Sequence, residues 1–388
     1  MNRKITFSYA GNIGGLGQGY ITAKAIAAAS KMHYLYQLFS RGIQTNLKVE
    51  AEETITLRHF NEFAFAWGFL ARFLKRAGLT YYISNALYDR EVARQLKPCD
   101  IFHAFAAQSL KSILKAKSCG AKVIADNPNT HPLNIKKLLV EEYKIWKVPY
   151  AAYNNIALNR RLRALETADQ VLVLSKNSYQ TFLDYGYAKE KLCIIPYGVD
   201  NELFKPRPKK DSVFRVLFVG QLSLRKGFQH LLEAWQLIRL KDAELVLAGP
   251  VSADGLYALR KFSGKIDFKV LGPLNNMQEI AEVYNQASIA VFPSIEEGFG
   301  MVVTEALASG LPVIVSENVG AKDLINDGEE GFIVPIRNAM VIKDTILYLY
   351  ENEDKRKEMG QKARFKVENQ TWEDYQNKLT SIYRELLG

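Results

Sequence analysis

Short apolar runs alternate with amphipathic stretches along the whole chain, and that alternation sets the fold class. In the first half, apolar strands are predicted at residues 5–9 and 168–175, strand ends running into polar loops within 100–107 and 121–132, and a strand ending in a glycine turn within 191–200, with helix-like stretches at 21–29 and 160–166. The pattern restarts with strands at 214–219, 244–248, 268–271, 289–292, 312–315 and 331–334. The clearest helix between them is 228–238, where Phe228, Leu231, Leu232 and Trp235 fall on one stripe and read as core. Strands alternating with helices indicate parallel α/β domains. At 388 residues the chain is too long for one ordinary core, so two successive wound halves are expected. Residues 204–211 hold Pro206 and Pro208 among four bases and read as the linker, because proline ends a helix and is denied to a central strand. The expected domains are therefore 1–205 and 206–370, followed by an amphipathic helix over 371–388.

Composition narrows the class. Hydrophobic residues make up 48% and charged residues 24%, which is ordinary for a globular chain. No run approaches the ~18 apolar residues of a bilayer span. The start, Met1-Asn-Arg-Lys, runs straight into a strand without a secretory pattern. Cys99, Cys119 and Cys193 lack metal-ligand spacing and read as reduced thiols of a cytoplasmic protein. Charge is unevenly placed: residues 1–200 carry 27 Lys and Arg against 15 Asp and Glu, while the remainder carries 24 against 26. Only the first half has an electrostatic reason to meet an anion. Without a zinc finger, helix-turn-helix or RNP motif, nucleic acid is not the expected partner. An anionic membrane surface or an acidic or phosphorylated acceptor fits better, and the basic run at Arg160, Arg161 and Arg163 is either a solvated face or part of that attraction. Residues 60–77 are aromatic and end in bases, a pattern that suits either a membrane interface or packing on a sheet.

The densest chemistry lies in residues 291–315. A buried strand leads to a loop with Glu297, a helix opening near Gly300, and a second buried strand. Gly298 and Gly300 allow close backbone approach, and the N–H groups of Phe299, Gly300, Met301 and Val302 would face a phosphate at a helix N-terminus. Glu297 and Glu305 flank that site; ionised carboxylates only accept hydrogen bonds, and sugars donate many, so a sugar nucleotide is indicated. Glu296 competes, but its spacing to Glu305 is one residue longer. The loop at 220–227 follows the first strand of its half and brings Arg225 and Lys226 toward the same phosphates. The glycine-rich loop at 10–19 is not a dinucleotide fingerprint, since Tyr20 holds the third glycine position.

Glu297 and Glu305 stand in E-x7-E spacing, followed by Ala-Leu-Ala-Ser-Gly-Leu-Pro-Val-Ile. Here the chain resembles the retaining glycosyltransferases of family four, most specifically over 195–335. The resemblance implies the GT-B architecture, two Rossmann-like doubly wound α/β domains facing across a cleft. The N-terminal domain would bind the acceptor and the C-terminal domain the nucleotide sugar, with the last helix crossing back to the first domain and Trp372 as an anchor. It implies that Glu297 contacts the donor sugar and Glu305 the ribose, that Gly14 and Gly15 lie over the diphosphate, and that Arg225 and Lys226 stabilise it as it leaves. Relatives commonly carry arginine where Gln221 stands, so Arg225 would have to compensate. A histidine usually faces the donor sugar or acceptor, and His103 and His131 are both candidates, with Asp126 and Asn127 as acceptor-side contacts or turn-formers. The implied reaction is retaining hexosyl transfer from a UDP- or GDP-sugar to a lipid-linked, polysaccharide or small-molecule acceptor. No D-x-D pair occurs, so transfer without metal or other cofactor is expected, with Glu297, His131, Lys226 and Arg225 as catalytic candidates. A catalytically silent sugar-nucleotide-binding subunit and a sugar-nucleotide epimerase are the alternatives. The expected location is cytoplasmic, with peripheral contact at the inner face of the membrane.

Overall fold

The computed structural model describes residues 3–44, 49–57, 77–149 and 155–388. Its first sheet comprises β1 (Ile5–Ile13), β2 (Leu35–Ile43), β3 (Glu53–Thr56), β4 (Ile101–Phe105), β5 (Lys122–Asp126), β6 (Gln170–Val173) and β7 (Leu192–Ile194). The second comprises β8 (Phe214–Val219), β9 (Ala243–Ala248), β10 (Lys269–Gly272), β11 (Ile289–Phe292), β12 (Val313–Ser316) and β13 (Gly331–Val334). The orders are β3-β2-β1-β4-β5-β6-β7 and β10-β9-β8-β11-β12-β13. Each strand pairs in parallel with its neighbours. In both sheets the strand order reverses direction once, between β1 and β4 and between β8 and β11. In an open parallel sheet such a reversal leaves a crevice beyond the carboxyl ends of the strands, where ligands bind.

The inner strands explain why apolar runs announced them. All residues of β4, β11 and β12 are buried, as strands covered by helices on both faces must be. Strand β10 lies on an edge and exposes Val270 and Leu271. Two strands escape the apolar-run criterion. Strand β2 interrupts its run with Gln37, Ser40 and Arg41, and β3 is the half-exposed edge sequence Glu-Thr-Ile-Thr. Strand β1 continues four residues beyond the expected end, because Asn12 and Ile13 pair with Gly42 and Ile43 across an irregularity. Residues 204–211 form neither helix nor strand. The aromatic stretch at 60–77 lies outside the described residues except for Ala77, which opens the helix Ala77–Gln95. Among the described residues, no helix is long and apolar enough to cross a membrane.

The helices Pro132–Ile145 and Trp372–Leu387 both take part in joining the lobes. Glu142, fully buried on the helix Pro132–Ile145, accepts from Gln229 Nε2 at 2.8 Å and Arg337 Nε at 2.7 Å, and lies 2.9 Å from His230 Nε2. The helix Trp372–Leu387 begins with a reciprocal capping box between Thr371 and Asp374. It then buries Trp372, Tyr375, Leu379 and Tyr383 and packs on the helix Gln18–Lys31 of the first lobe. Trp372 meets the Tyr20 ring edge-on at 5.4 Å, and Gln376 Nε2 donates to Lys24 O at 3.2 Å. Trp372→Ala removes a buried aromatic from this junction. It is expected to cost about 3–5 kcal/mol of stability, read as an earlier midpoint in urea unfolding.

Candidate functional site

The switch point of the second sheet brings together the residues that the sequence selects. After β8, a single turn, Leu224–Lys226, presents Arg225 and Lys226 and ends on Gly227. Gly227 has φ +71, and a Cβ there would stand 1.8 Å from Pro293 O of the neighbouring loop, so only glycine fits. The loop after β11 is stitched to this turn: Ile295 N donates to Arg225 O at 2.9 Å, and Arg225 Nη1 donates to Glu296 O at 3.1 Å. Lys226 Nζ forms an ion pair with Glu297 Oε2. Burial works against the Glu297 carboxylate, but the adjacent Lys226 and Arg225 charges outweigh it and hold the group below its ordinary range. Gly300 then caps the helix Met301–Ala308, whose N-terminus has no side-chain cap. Its first N–H groups point away from the helix with the positive end of its dipole.

Glu305 lies on that helix, 6% exposed, with Tyr284 OH 3.1 Å from its Oε2. Burial raises its pKa to about 7, against the Tyr284 hydrogen bond. Glu297 is therefore an ion-paired carboxylate, whereas Glu305 is a buried acid poised near neutrality.

Glu296 acquires a role that spacing did not suggest. It is fully buried, accepts from Thr130 N at 2.9 Å and Thr130 Oγ1 at 3.0 Å, and pairs with Arg225 Nη1 at 3.2 Å. It thus fastens the loop of the second lobe to that of the first. Gly298 contributes to the same junction: a Cβ there would stand 2.1 Å from Pro128 O, and its carbonyl accepts from Ser175 Oγ at 2.8 Å and Ser178 Oγ at 3.1 Å. The backbone that approaches Gly298 belongs to the opposite lobe. Phe299 is buried against the edge of Tyr197 at 5.7 Å and packs in the core. Arg225, which would compensate for the exposed Gln221, directs its guanidinium to Glu296.

A cavity of about 560 Å³ opens beside this junction, lined from the first lobe by Tyr9, Gln18, Asn85, Gln108, Asp126, Arg160 and Arg161 among others, and from the second by Arg225. Asp126, at the end of β5, belongs to its wall. Asn127 is a turn-former: Nδ2 donates to Asn129 O at 2.5 Å while Oδ1 accepts from Arg161 Nη2 at 2.5 Å. Gly14 and Gly15 take φ of +94 and +73 in the turn leading to Gln18 and do not line this cavity.

Neither histidine lines it either. His103 is fully buried in β4, with Nδ1 2.7 Å from Tyr383 OH and Nε2 3.1 Å from Asp126 Oδ2. It connects the last helix to the cavity wall from behind. His131 caps the helix Pro132–Ile145, its Nδ1 accepting from Leu133 N at 3.3 Å, and stacks on Tyr185 at 4.2 Å. Burial, then the charge of Arg161, push its pKa down to about 4, so it is a neutral helix cap. His131, offered by the sequence as a catalytic group, thus stands at a helix N-terminus outside the lining of this cavity. The sequence reading passed over Asn85 and Gln108, which carry no local motif, placed Tyr9 only at a strand end, and noted Arg160 and Arg161 as a basic run that was either a solvated face or an attraction for an anionic acceptor.

Comparison with known proteins agrees with this geometry. Residues 199–366 match the family model "Glycosyl transferases group 1". The chain is 29% identical over 220 residues to a D-inositol 3-phosphate glycosyltransferase of Paenarthrobacter aurescens, a match covering 53% of this chain and 54% of the relative. It spans about half the length of the curated relatives it matches. Among solved structures, HepE from Anabaena in complex with UDP and glucose superposes with a TM-score of 0.71 at 16% identity, covering 99% of this chain and 100% of that one. Sucrose-phosphate synthase from Thermosynechococcus elongatus gives 0.68 at 19% identity, covering 99% of both. The two parallel sheets are those of the GT-B fold, and residues 199–366 are similar to the group 1 glycosyl transferases.

Proposed function

We propose that the chain is a retaining glycosyltransferase that moves a hexosyl unit from a UDP-sugar to an acceptor held in the cavity of the first lobe. The observation that carries this reading is the Lys226–Glu297 pair beside an uncapped helix N-terminus, with Glu305 one turn further along. A diphosphate entering there meets Lys226, Arg225 and the helix amides, all of which favour negative charge. As Lys226 turns to the phosphate, Glu297 is released to accept hydrogen bonds from the sugar. Glu305 accepts from the ribose hydroxyls. The bond from the anomeric carbon to the diphosphate oxygen breaks as the acceptor oxygen bonds to the same face, and the acceptor proton goes to the departing diphosphate. No side chain is needed as a covalent nucleophile. Preorganised charge at the leaving group supplies the rate enhancement. UDP as donor is supported by HepE, whose structure contains UDP and glucose. The excess positive charge of residues 1–200 supports peripheral contact with an anionic membrane and a lipid-linked or other glycan acceptor.

Lys226→Ala and Glu305→Ala are each expected to lower turnover about 10²–10³-fold, measured with a panel of UDP- and GDP-sugars. The product should keep the donor's anomeric configuration by NMR. Full activity in either variant would overturn the assignment of that residue. Glu305 also gives a pH signature in the free protein. Its folded pKa lies above the unfolded carboxylate value, so the native state binds more protons between the two, and stability falls as pH rises from about 4.5 to about 7. Glu305→Gln keeps the shape and removes the charge. It should match the parent near pH 4 and exceed it near pH 8 by up to about 3 kcal/mol in thermal unfolding.

A further inference from the structure

The cavity wall carries a charge that no carboxylate among the described residues pairs with. Arg160 and Arg161 are consecutive on the helix Asn155–Thr167, and both line the cavity. Arg160 Nη2 pairs with Asp89 Oδ2 at 2.6 Å. Asp89 is fully buried and also accepts from Lys111 N, Ser112 N and Ser112 Oγ, so that charge is fully matched. Arg161 differs. It is 8% exposed, its Nη2 donates to the neutral Asn127 Oδ1, and its Nε has no hydrogen-bond partner. Among the described residues no carboxylate forms an ion pair with it. Asp126, the one acid on the wall among the described residues, lies instead 3.1 Å from His103 Nε2. A guanidinium cannot shed its proton and offers five N–H donors in a planar fork. Burying one without an anion is unfavourable, and the fork geometry matches phosphate oxygens.

We propose that this cavity, whose wall includes Arg161, receives an acceptor bearing a phosphate group, which the Arg161 guanidinium binds as the counter-ion it lacks among the described residues. Arg160 adds a second cationic edge. Asp126, Gln108 and Asn85, on the same wall, take the hydroxyls of the acceptor, so one cavity sorts anion from polyol. The proposal rests on the acceptor-side reading above and specifies its substrate class.

The test uses the full chain saturated with UDP, so that the donor phosphate site is filled, and titrates inorganic phosphate, glucose 6-phosphate and glucose by thermal shift and calorimetry. The two phosphates are expected to bind and glucose to bind far more weakly. Arg161→Gln should lose roughly ten- to hundred-fold in phosphate affinity, with Arg161→Lys in between, while UDP binding stays unchanged. Lys137→Gln, which removes an exposed base elsewhere on the lobe, should leave phosphate binding as it was. Asn127→Asp supplies the missing counter-ion beside Arg161 and should weaken phosphate binding even if Arg161→Gln folds poorly. Vesicles of phosphatidylcholine with and without phosphatidic acid distinguish a lipid phosphate from a soluble one, and capture by either source supports the proposal. Unchanged phosphate affinity in Arg161→Gln and Asn127→Asp, equal loss in Lys137→Gln, or loss of UDP binding in Arg161→Gln would each overturn it. Failure of the parent to bind UDP at all would instead overturn the donor reading, with the phosphate titration still readable.

Discussion

Arg225, Lys226, Glu296 and Glu297 lie at one switch point, and the carboxylates among them are 0% and 12% exposed. A buried carboxylate needs an opposite charge and filled lone pairs, so this cluster fixes far more than itself. The cations must come from the turn after β8 and the anions from the loop after β11, which is possible because those strands are neighbours. Gly227 permits the close approach of the two loops. Glu296 then needs more than Arg225, and Thr130 of the other lobe supplies two donors. Removing one member would strand its partner's charge. The electrostatics of the second sheet therefore also set how the first lobe meets it.

The acids at this site differ because their surroundings differ. Glu297 is held ionised by neighbouring cations, whereas Glu305 has only the Tyr284 hydroxyl to offset burial. Sugar hydroxyls are the kind of donors that such an incompletely satisfied carboxylate lacks. Arg161 presents the opposite case in the first lobe, a cation that donates to an amide oxygen and has no carboxylate partner among the described residues.

Legibility in the sequence followed the range of the interactions. Inner strands such as β11 and β12 were readable because burial on both faces demands unbroken apolar residues. Strand β2 was not, since its polar Gln37 is satisfied by Glu53 of the edge strand, a pairing invisible in a local window. Lys226 and Glu297 were found through glycine punctuation around short motifs. Glu296 was weighed only as a competitor for the Glu297 position, and its bridging role was illegible because its partner, Thr130, is 166 residues away. The surroundings of the histidines were illegible for a related reason. A residue type says nothing of which side chains will cover it, and His103 is covered by Tyr383, 280 residues further along.

The junction of the helices Gln18–Lys31 and Trp372–Leu387 has a consequence for biosynthesis. Gln376 and Lys24, bonded in the finished molecule, are separated by 352 residues of chain. The first sheet thus emerges from the ribosome long before the segment that shields Tyr20 and closes over His103. Until that segment arrives, this side of the nascent lobe exposes apolar surface, and its completion waits on a helix whose Gln376 lies 352 residues after Lys24.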